Sequence, residues 1–227
     1  MKNRYRVALS VVGLMFASRS ASAAAIDSLS LAERLRLDAG APVVHTQSFP
    51  GSSWPAVTVY QLVNTTPEAA MAVFTDFNEQ ASYLKDCCGV LRSQILDLAV
   101  GGDRRVQRVL YELEVPVVSN ERYELREEIS KGAGGSYRVV WGKVSTGGHS
   151  DAIFGRATFE PYDGKTAFTY YNYTQITSFG AGAFASASVA RAQKTVGVMA
   201  RHMEQESSSG GVRFQADLAR LRAALGE

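Results

Sequence analysis

A two-residue period dominates the middle of the chain. Between Val90 and Thr177, six runs alternate apolar and polar positions: "GVLRSQILDL", "RRVQRVLYELEVPV", "ERYELREEIS", "SYRVVWGKV", "AIFGRATFEPY" and "TAFTYYNYTQI". Turn-forming clusters separate them at Gly101-Gly102-Asp103, Ser119-Asn120, Gly132 to Ser136, Gly147-Gly148 and Asp163-Gly164. Strand-like runs joined by tight turns predict an antiparallel meander. In "RRVQRVLYELEV", Val109, Tyr111, Leu113 and Val115 share one face, and Arg108, Glu112 and Glu114 share the other. Such a strand is apolar toward a core and charged toward water.

The flanks read differently. Residues 28 to 38, "SLSLAERLRLD", predict a short helix capped by Ser30, with Glu33 at the capping-box spacing. "GAPVVHTQSF" and "WPAVTVYQLV" are extended. In "NTTPEAAMAVFTDF", Thr66 is an N-cap, Pro67 fits the first helical position, and Glu68 lies where the helix dipole favours a carboxylate. That predicts a helix from Pro67 to about Thr75. "NEQASYLK" predicts a second short helix, which "LKDCCGV" closes before the next strand. After Thr177 the period changes. Val189, Ala192, Val196, Met199 and Met203 recur at three and four, one apolar stripe on a helix of five to six turns. "SSSGG" (207 to 211) predicts a break, and Phe214, Leu218, Leu221 and Leu225 a short closing helix. No internal repeat is found.

This order resembles the helix-grip fold of the START-like superfamily (Bet v 1-like, with polyketide cyclases and quinone-chaperone proteins among its members). "TPEAAMAVFTDFNEQASYL" resembles the family's Pro-initiated helix ending in Asp and followed by an aromatic-bearing helix. "IFGRATFEPYDGKTAFTY" resembles its Gly-x-x-x-Phe-x-Pro hairpin with a Gly-x-Thr turn. The likeness covers about residues 43 to 206. Ala157 departs from it, standing where relatives often carry Trp, which would enlarge the space beneath the long helix.

The resemblance implies an α+β fold: a curved antiparallel sheet wrapped around a long C-terminal helix, with two short helices after the first strand. It implies a cavity between sheet and helix for a lipid, sterol, isoprenoid or aromatic molecule. Its lining would come from Tyr111, Leu113, Tyr123 and Trp141, from Ala157 and Phe159, and from Tyr170 and Asn172. The last two, with Phe168, follow the family's inward-facing set. From the helix side it would come from Phe184, Val189, Val196 and Met199. The domains would be a helix and lead-in (24–42), the helix-grip domain (43–206), and a linker with a short amphipathic helix (207–227).

The N-terminus adds a compartment. Lys2, Arg4 and Arg6 precede an apolar run from Val7 to Ala17, and Ala21-Ser22-Ala23 offers a small-x-small cleavage pattern. That is the layout of a secretory signal over residues 1–23, and the apolar run is too short to span ~30 Å of hydrocarbon. A cleaved, periplasmic or secreted chain would keep 20 basic and 22 acidic residues, a net charge of −2. A basic footprint for nucleic acid is then absent.

Cys87 and Cys88 are the chain's two cysteines. In an oxidising compartment two readings stand, a vicinal disulfide and a pair of structural thiols. Their spacing fits neither a redox C-x-x-C nor a zinc set. His45, His149 and His202 show no metal-ligand spacing, and no nucleotide or serine-hydrolase motif occurs. Neither a metal nor a cofactor is expected. Tyr60, Tyr111, Tyr123, Tyr137, Trp141, Phe159, Tyr170, Tyr171 and Tyr173 all fall on expected strands, as an aromatic core or an amphipathic pocket. Glu112, Glu114, Glu124 and Glu128 read as solvated outer-face carboxylates. Phe49 and Trp54, and Phe179 and Phe184, could touch a bilayer transiently.

The sequence therefore points to an exported carrier of a hydrophobic small molecule. A cyclase- or dehydratase-type enzyme is the alternative, and it requires a titratable group deep in the cavity. A third class is an interaction module that docks a partner through Phe214 to Leu225. The sequence leaves oligomeric state open.

Overall fold

The computed structural model describes residues 25–49, 52, 54–101, 104–114, 120–145, 148–176 and 185–227. Its strands are β1 (Val43–Gln47), β2 (Ala56–Val63), β3 (Val90–Gly101), β4 (Arg104–Leu113), β5 (Glu121–Lys131), β6 (Tyr137–Lys143), β7 (Ser150–Tyr162) and β8 (Lys165–Ile176). They form one curved antiparallel sheet in the order β1-β2-β8-β7-β6-β5-β4-β3. The meander β3 to β8 follows the six alternating runs. It returns to the start of the chain by pairing β8 with β2, where Val59 faces Tyr170 and Gln61 faces Phe168.

The helices are α1 (Leu31–Asp38), α2 (Pro67–Phe74), α3 (Gln80–Cys88), α4 (Ala185–Ser209) and α5 (Val212–Ala224). α1 carries the expected capping box: the Ser30 side chain accepts from Glu33 N, and the Glu33 carboxylate accepts from Ser30 N. α2 starts where Thr66 caps it and Pro67 needs no donor, its Thr66 hydroxyl accepting from Ala69 N at 3.3 Å. Every residue of α2 from Ala69 to Phe74 is buried, so this helix is a plug rather than a surface helix. α3 stops at Gly89, which takes the left-handed φ of 66° that favours glycine.

The concave face of the sheet meets α2 and α4 in one core. Phe74 of α2 packs on Phe159 and Phe168 at ring separations of 5.2 and 5.8 Å, and those two stack at 5.0 Å. Val196, Met199 and Met203 bring the second half of α4 into it. The convex face is covered at one end by α1 and the turn Ala25–Ser28: Ile26, Leu29 and Leu37 pack with Tyr60, Leu62 and Ala167. This is the helix-grip arrangement.

The structure corrects three details. The two short helices follow β2, because "VVHTQ" forms a strand of its own. α4 does not end before the serines. Ser207, Ser208 and Ser209 stay helical, their hydroxyls bonding back to the carbonyls of Glu204, Gln205 and Glu206, and the chain turns only at Gly210. The segment after it is no free linker helix. Phe214, Leu221 and Leu225 of this last segment are buried in the main core, and Arg222 grips Glu68 of α2 through two bonds of 2.7 and 3.0 Å. The apolar face expected to dock a partner is spent within the chain.

Candidate functional site

Alternation on β4, β5, β6 and β8 turns a defined set of side chains toward the concave side. Tyr111 faces Tyr123, and Gln107 faces Glu127 across β4–β5. Glu127 faces Trp141 across β5–β6, and Gly155 faces Asn172 across β7–β8. Trp141 lies flat over Gly155, where an added Cβ would sit 2.5 Å from its Cζ2 and collide with the Tyr171 carbonyl. Only glycine permits that pose. From it the indole Nε1 donates to Asn172 Oδ1 at 3.2 Å, and the ring lies 5.2 Å from that of Tyr170. Asn172 Nδ2 passes the chain on to Thr174 Oγ1 at 3.3 Å.

The expected lining residues divide into two groups. Leu113, Tyr170, Asn172 and Val189 point inward but are only half-buried, with Tyr123 and Trp141 beside them. On the first half of α4, Val189 and Ala192 are the half-buried apolar residues packed on this core, while Ser186, Ala187, Ala190, Gln193 and Lys194 are exposed. Ala157, Phe159, Val196 and Met199 are instead closed off in the packed end with Phe74 and Phe168. Phe184, like Phe179, lies outside the described residues. Phe49 rests on Tyr173 and Phe154 at 4.6 and 6.5 Å, on the convex side. Tyr60 and Tyr173 also face away from the site.

One residue of the site escaped the sequence reading. Glu127, 2% exposed, sits on the inward face of β5. Glu128, its neighbour, points outward to Arg126 at 3.6 Å. Gln107 Nε2 donates to Glu127 Oε2 at 3.1 Å. The Tyr111 hydroxyl lies 3.0 Å from Gln80 Oε1 and 3.4 Å from Glu127 Oε1. Gln80 Nε2 donates to the Phe74 carbonyl at 3.1 Å, so Gln80 Oε1 is an acceptor. A hydroxyl has one proton and cannot serve two acceptors. With that proton on Gln80, the contact to Glu127 needs a proton on the carboxyl. Electrostatics agree: burial pushes the Glu127 carboxyl up to about 8, against the opposing pull of Gln107, Tyr111 and the Arg105 charge. Burial likewise raises the phenols of Tyr111, Tyr123 and Tyr170, so all three stay neutral. Two neighbours on β4, Gln107 Oε1 and Arg105 Nε, are buried without a hydrogen-bond partner. The site thus offers neutral donors and acceptors in an aromatic frame, with one carboxylic acid at its base.

Other candidates resolve into structural roles. His45 pairs with Glu33 at 2.7 Å, and its hydrogen bond holds that carboxylate down at about 2. His202 stacks on Tyr83 at 3.9 Å and is pushed below its usual range by burial. Glu121 accepts from His149 N, Ser150 N and the Ser150 hydroxyl, closing the β6–β7 connection. No group of three or more potential metal ligands occurs among the described residues. Cys87 and Cys88 are bonded to each other as a vicinal disulfide at the end of α3. Two surface grooves flank α4: about 490 Å³ on the β2 side, and about 340 Å³ beside the two cysteines. Neither is lined by the tyrosine row.

No protein-family model matches the sequence, and no curated protein matches it. Solved structures match in shape. The STAR-related lipid transfer protein of Xanthomonas axonopodis superimposes with a TM-score of 0.61 at 17% identity, over 71% of this chain and 93% of that one. Human STARD10 gives 0.59 at 11% identity, over 77% and 76%. Human StAR-related lipid transfer protein 5 gives 0.53 at 14% identity, over 72% and 82%. At such identities the likeness is one of fold alone: the chain has the helix-grip fold.

Proposed function

We propose that the chain is an exported carrier that holds a hydrophobic small molecule, a lipid, sterol or isoprenoid, between the sheet and α4. The observation that carries this reading is the half-buried inward row of Leu113, Tyr170, Asn172 and Val189 beside Tyr123 and Trp141. Half-buried aromatic and apolar side chains with a polar amide among them offer an amphipathic bed. Two of the structural neighbours are lipid-transfer proteins by name, which supports the same use. The energy would be burial, roughly 25 cal/mol per Å² of apolar surface, so a few hundred Å² contribute several kcal/mol before association costs. The signal-like N-terminus supports export, as does a disulfide. Contact with a membrane would be transient, during loading and release. The test is native mass spectrometry of protein purified from the exported fraction, followed by organic extraction. A stoichiometric hydrophobic mass that leaves on denaturation is expected. Empty protein that takes up no lipid from vesicles refutes the carrier.

One observation favours a second reading. Glu127 is the deep titratable group that an enzyme of the cyclase or dehydratase type requires, kept protonated near neutral pH and bonded to Tyr111. In that reading Glu127 is the general acid. Turnover of a bound ligand by the native protein and its loss in Glu127→Gln would favour it. Unchanged ligand on extraction would favour the carrier.

A further inference from the structure

A polar clasp at Arg191 ties the first half of α4 to the rest of the molecule. Arg191 Nε donates to the Cys88 carbonyl at 2.9 Å, and its Nη2 donates to the same carbonyl and to the Glu114 carbonyl at 3.3 Å. Three segments meet there: the end of α3, the end of β4 and the helix that covers the site. Gly89 is shaped for this. A Cβ at residue 89 would collide with Arg191 Nη2, and the residue holds a left-handed φ. Glu114 N, in turn, donates to the Gly89 carbonyl at 2.8 Å. The Arg191 charge is near enough to act on the Tyr123 phenol. Around it Val189 and Ala192 pack on the core but are only half-buried, and Ala190, Gln193 and Lys194 are exposed. Few buried apolar contacts make such a segment the low-stability end of the fold.

The carbonyl that Arg191 grips belongs to a disulfide-bonded cysteine. Bridging adjacent residues closes a small ring around the Cys87–Cys88 peptide; that ring contains the φ bond of Cys88 and so restrains how this residue carries its own carbonyl, which lies just outside the ring. Cys87 is half-buried and the pair lines the 340 Å³ groove, flanked by Lys85, Arg191 and Lys194. Asp86 and Glu114 line the same groove, so three cations stand against two carboxylates, and that positive balance beside the half-buried Cys87 favours approach of a thiolate.

We propose that Cys87–Cys88 is a thiol–disulfide exchange site whose reduction by a dithiol releases the Arg191 clasp and loosens the first half of α4 over the site. The thiolate of the dithiol attacks Cys87 Sγ, forming a mixed disulfide, and the S–S bond breaks with Cys88 leaving as thiolate. The second thiol of the reductant then displaces Cys87. Two thiols form on the protein, the dithiol becomes its cyclic disulfide, and its two protons end on Cys87 and Cys88. With the ring open, Cys88 can turn about its φ bond, its carbonyl moves with it, and Arg191 loses its converging acceptors.

The consequence for ligand exchange rests on the carrier reading; the clasp itself does not. The test is hydrogen exchange on the ligand-free full chain, oxidised and after dithiothreitol, with intact mass confirming the gain of two hydrogens. Amides of residues 186–195 should exchange about tenfold faster when reduced, while those around Val196 to Met203 stay unchanged. Arg191→Gln should exchange fast in both states, and the Cys87→Ser/Cys88→Ser double variant should match the reduced protein. Entry of the neutral dye Nile red should quicken in parallel. Equal exchange of residues 186–195 in both redox states overturns the proposal, as does a Cys87–Cys88 pair that stays reduced after diamide treatment. Dye binding that fails while the exchange difference persists refutes the carrier and leaves the latch standing.

Discussion

Replacing Glu127 by glutamine tests the charge state on which the site depends. In the folded chain the carboxyl holds its proton up to about 8; in the unfolded chain it loses it near the ordinary value of 4.5. Between those two values the folded state binds more protons, so stability falls as pH rises. The contribution is fully favourable below 4.5, declines through the interval and levels off above about 8. At about 1.4 kcal/mol per pH unit the whole interval is worth about 5 kcal/mol, and the cost accumulated by pH 7 is about 3 kcal/mol. Glutamine keeps the shape and the donor toward the Tyr111 oxygen but carries no proton to lose. Glu127→Gln should therefore match the parent near pH 4.5 and exceed it at pH 7 by up to about 3 kcal/mol. For a domain of this size that is roughly 6–12 °C in Tm. Asp217, raised by burial to about 6, acts in the same sense between its ordinary 3.8 and 6, so the quantity to read is the difference between the two proteins. Tm is measured by scanning calorimetry from pH 4.5 to 8.5 in both. A difference curve that stays flat would refute the reasoning: Glu127 would then be ionised in the fold, with Arg105 as its counter-ion.

Other substitutions follow from packing. Gly155→Ala drives a Cβ into the Trp141 ring and the Tyr171 carbonyl, which should cost about 1–3 kcal/mol in urea unfolding and change the Trp fluorescence. Phe168→Ala empties the end of the core shared with Phe74 and Phe159 and should cost about 3–5 kcal/mol by the same assay. Ser30→Ala removes the hydroxyl that caps α1 at a cost of about 1 kcal/mol, visible as faster hydrogen exchange in α1. Truncation after Ser209 removes Phe214, Leu221, Leu225 and the Arg222–Glu68 pair, so it should lower Tm rather than leave a stable domain without a tail.

Most of the scaffold was legible because its signals are local. A two-residue period, turn clusters and the Thr66-Pro67 start are set by residues within a few positions of each other, and β4, α2 and α3 formed where those signals lay. The end of α4 was not, because serine reads as a breaker by propensity. Here three serine hydroxyls bond back to their own helix, and the break waits for Gly210. The fate of α5 was not legible either. An amphipathic face states that something covers it; only the fold says that the cover is α2, reached across more than 100 residues.

The site was legible in its aromatics and hidden in its acid. "ERYELREEIS" places Glu127 and Glu128 side by side, and a one-residue choice of register decides which is buried. The clue was present: Tyr123, Leu125 and Ile129 are the apolar members of the run, and residue 127 shares their parity. An inward glutamate breaks the rule that the core face is apolar, so composition argued against it. What tips the balance lies far away in sequence. Gln107 comes from β4 at 20 residues' separation, and the Tyr111–Gln80 arm reaches it from α3. Local rules fail where a buried polar group is sustained by partners from several elements, and that is where function concentrates. The cysteines make the same argument from the other side. Their adjacency left a vicinal disulfide and a pair of thiols both open; the fold bonds them, and the Arg191 grip on Cys88 comes from more than 100 residues on.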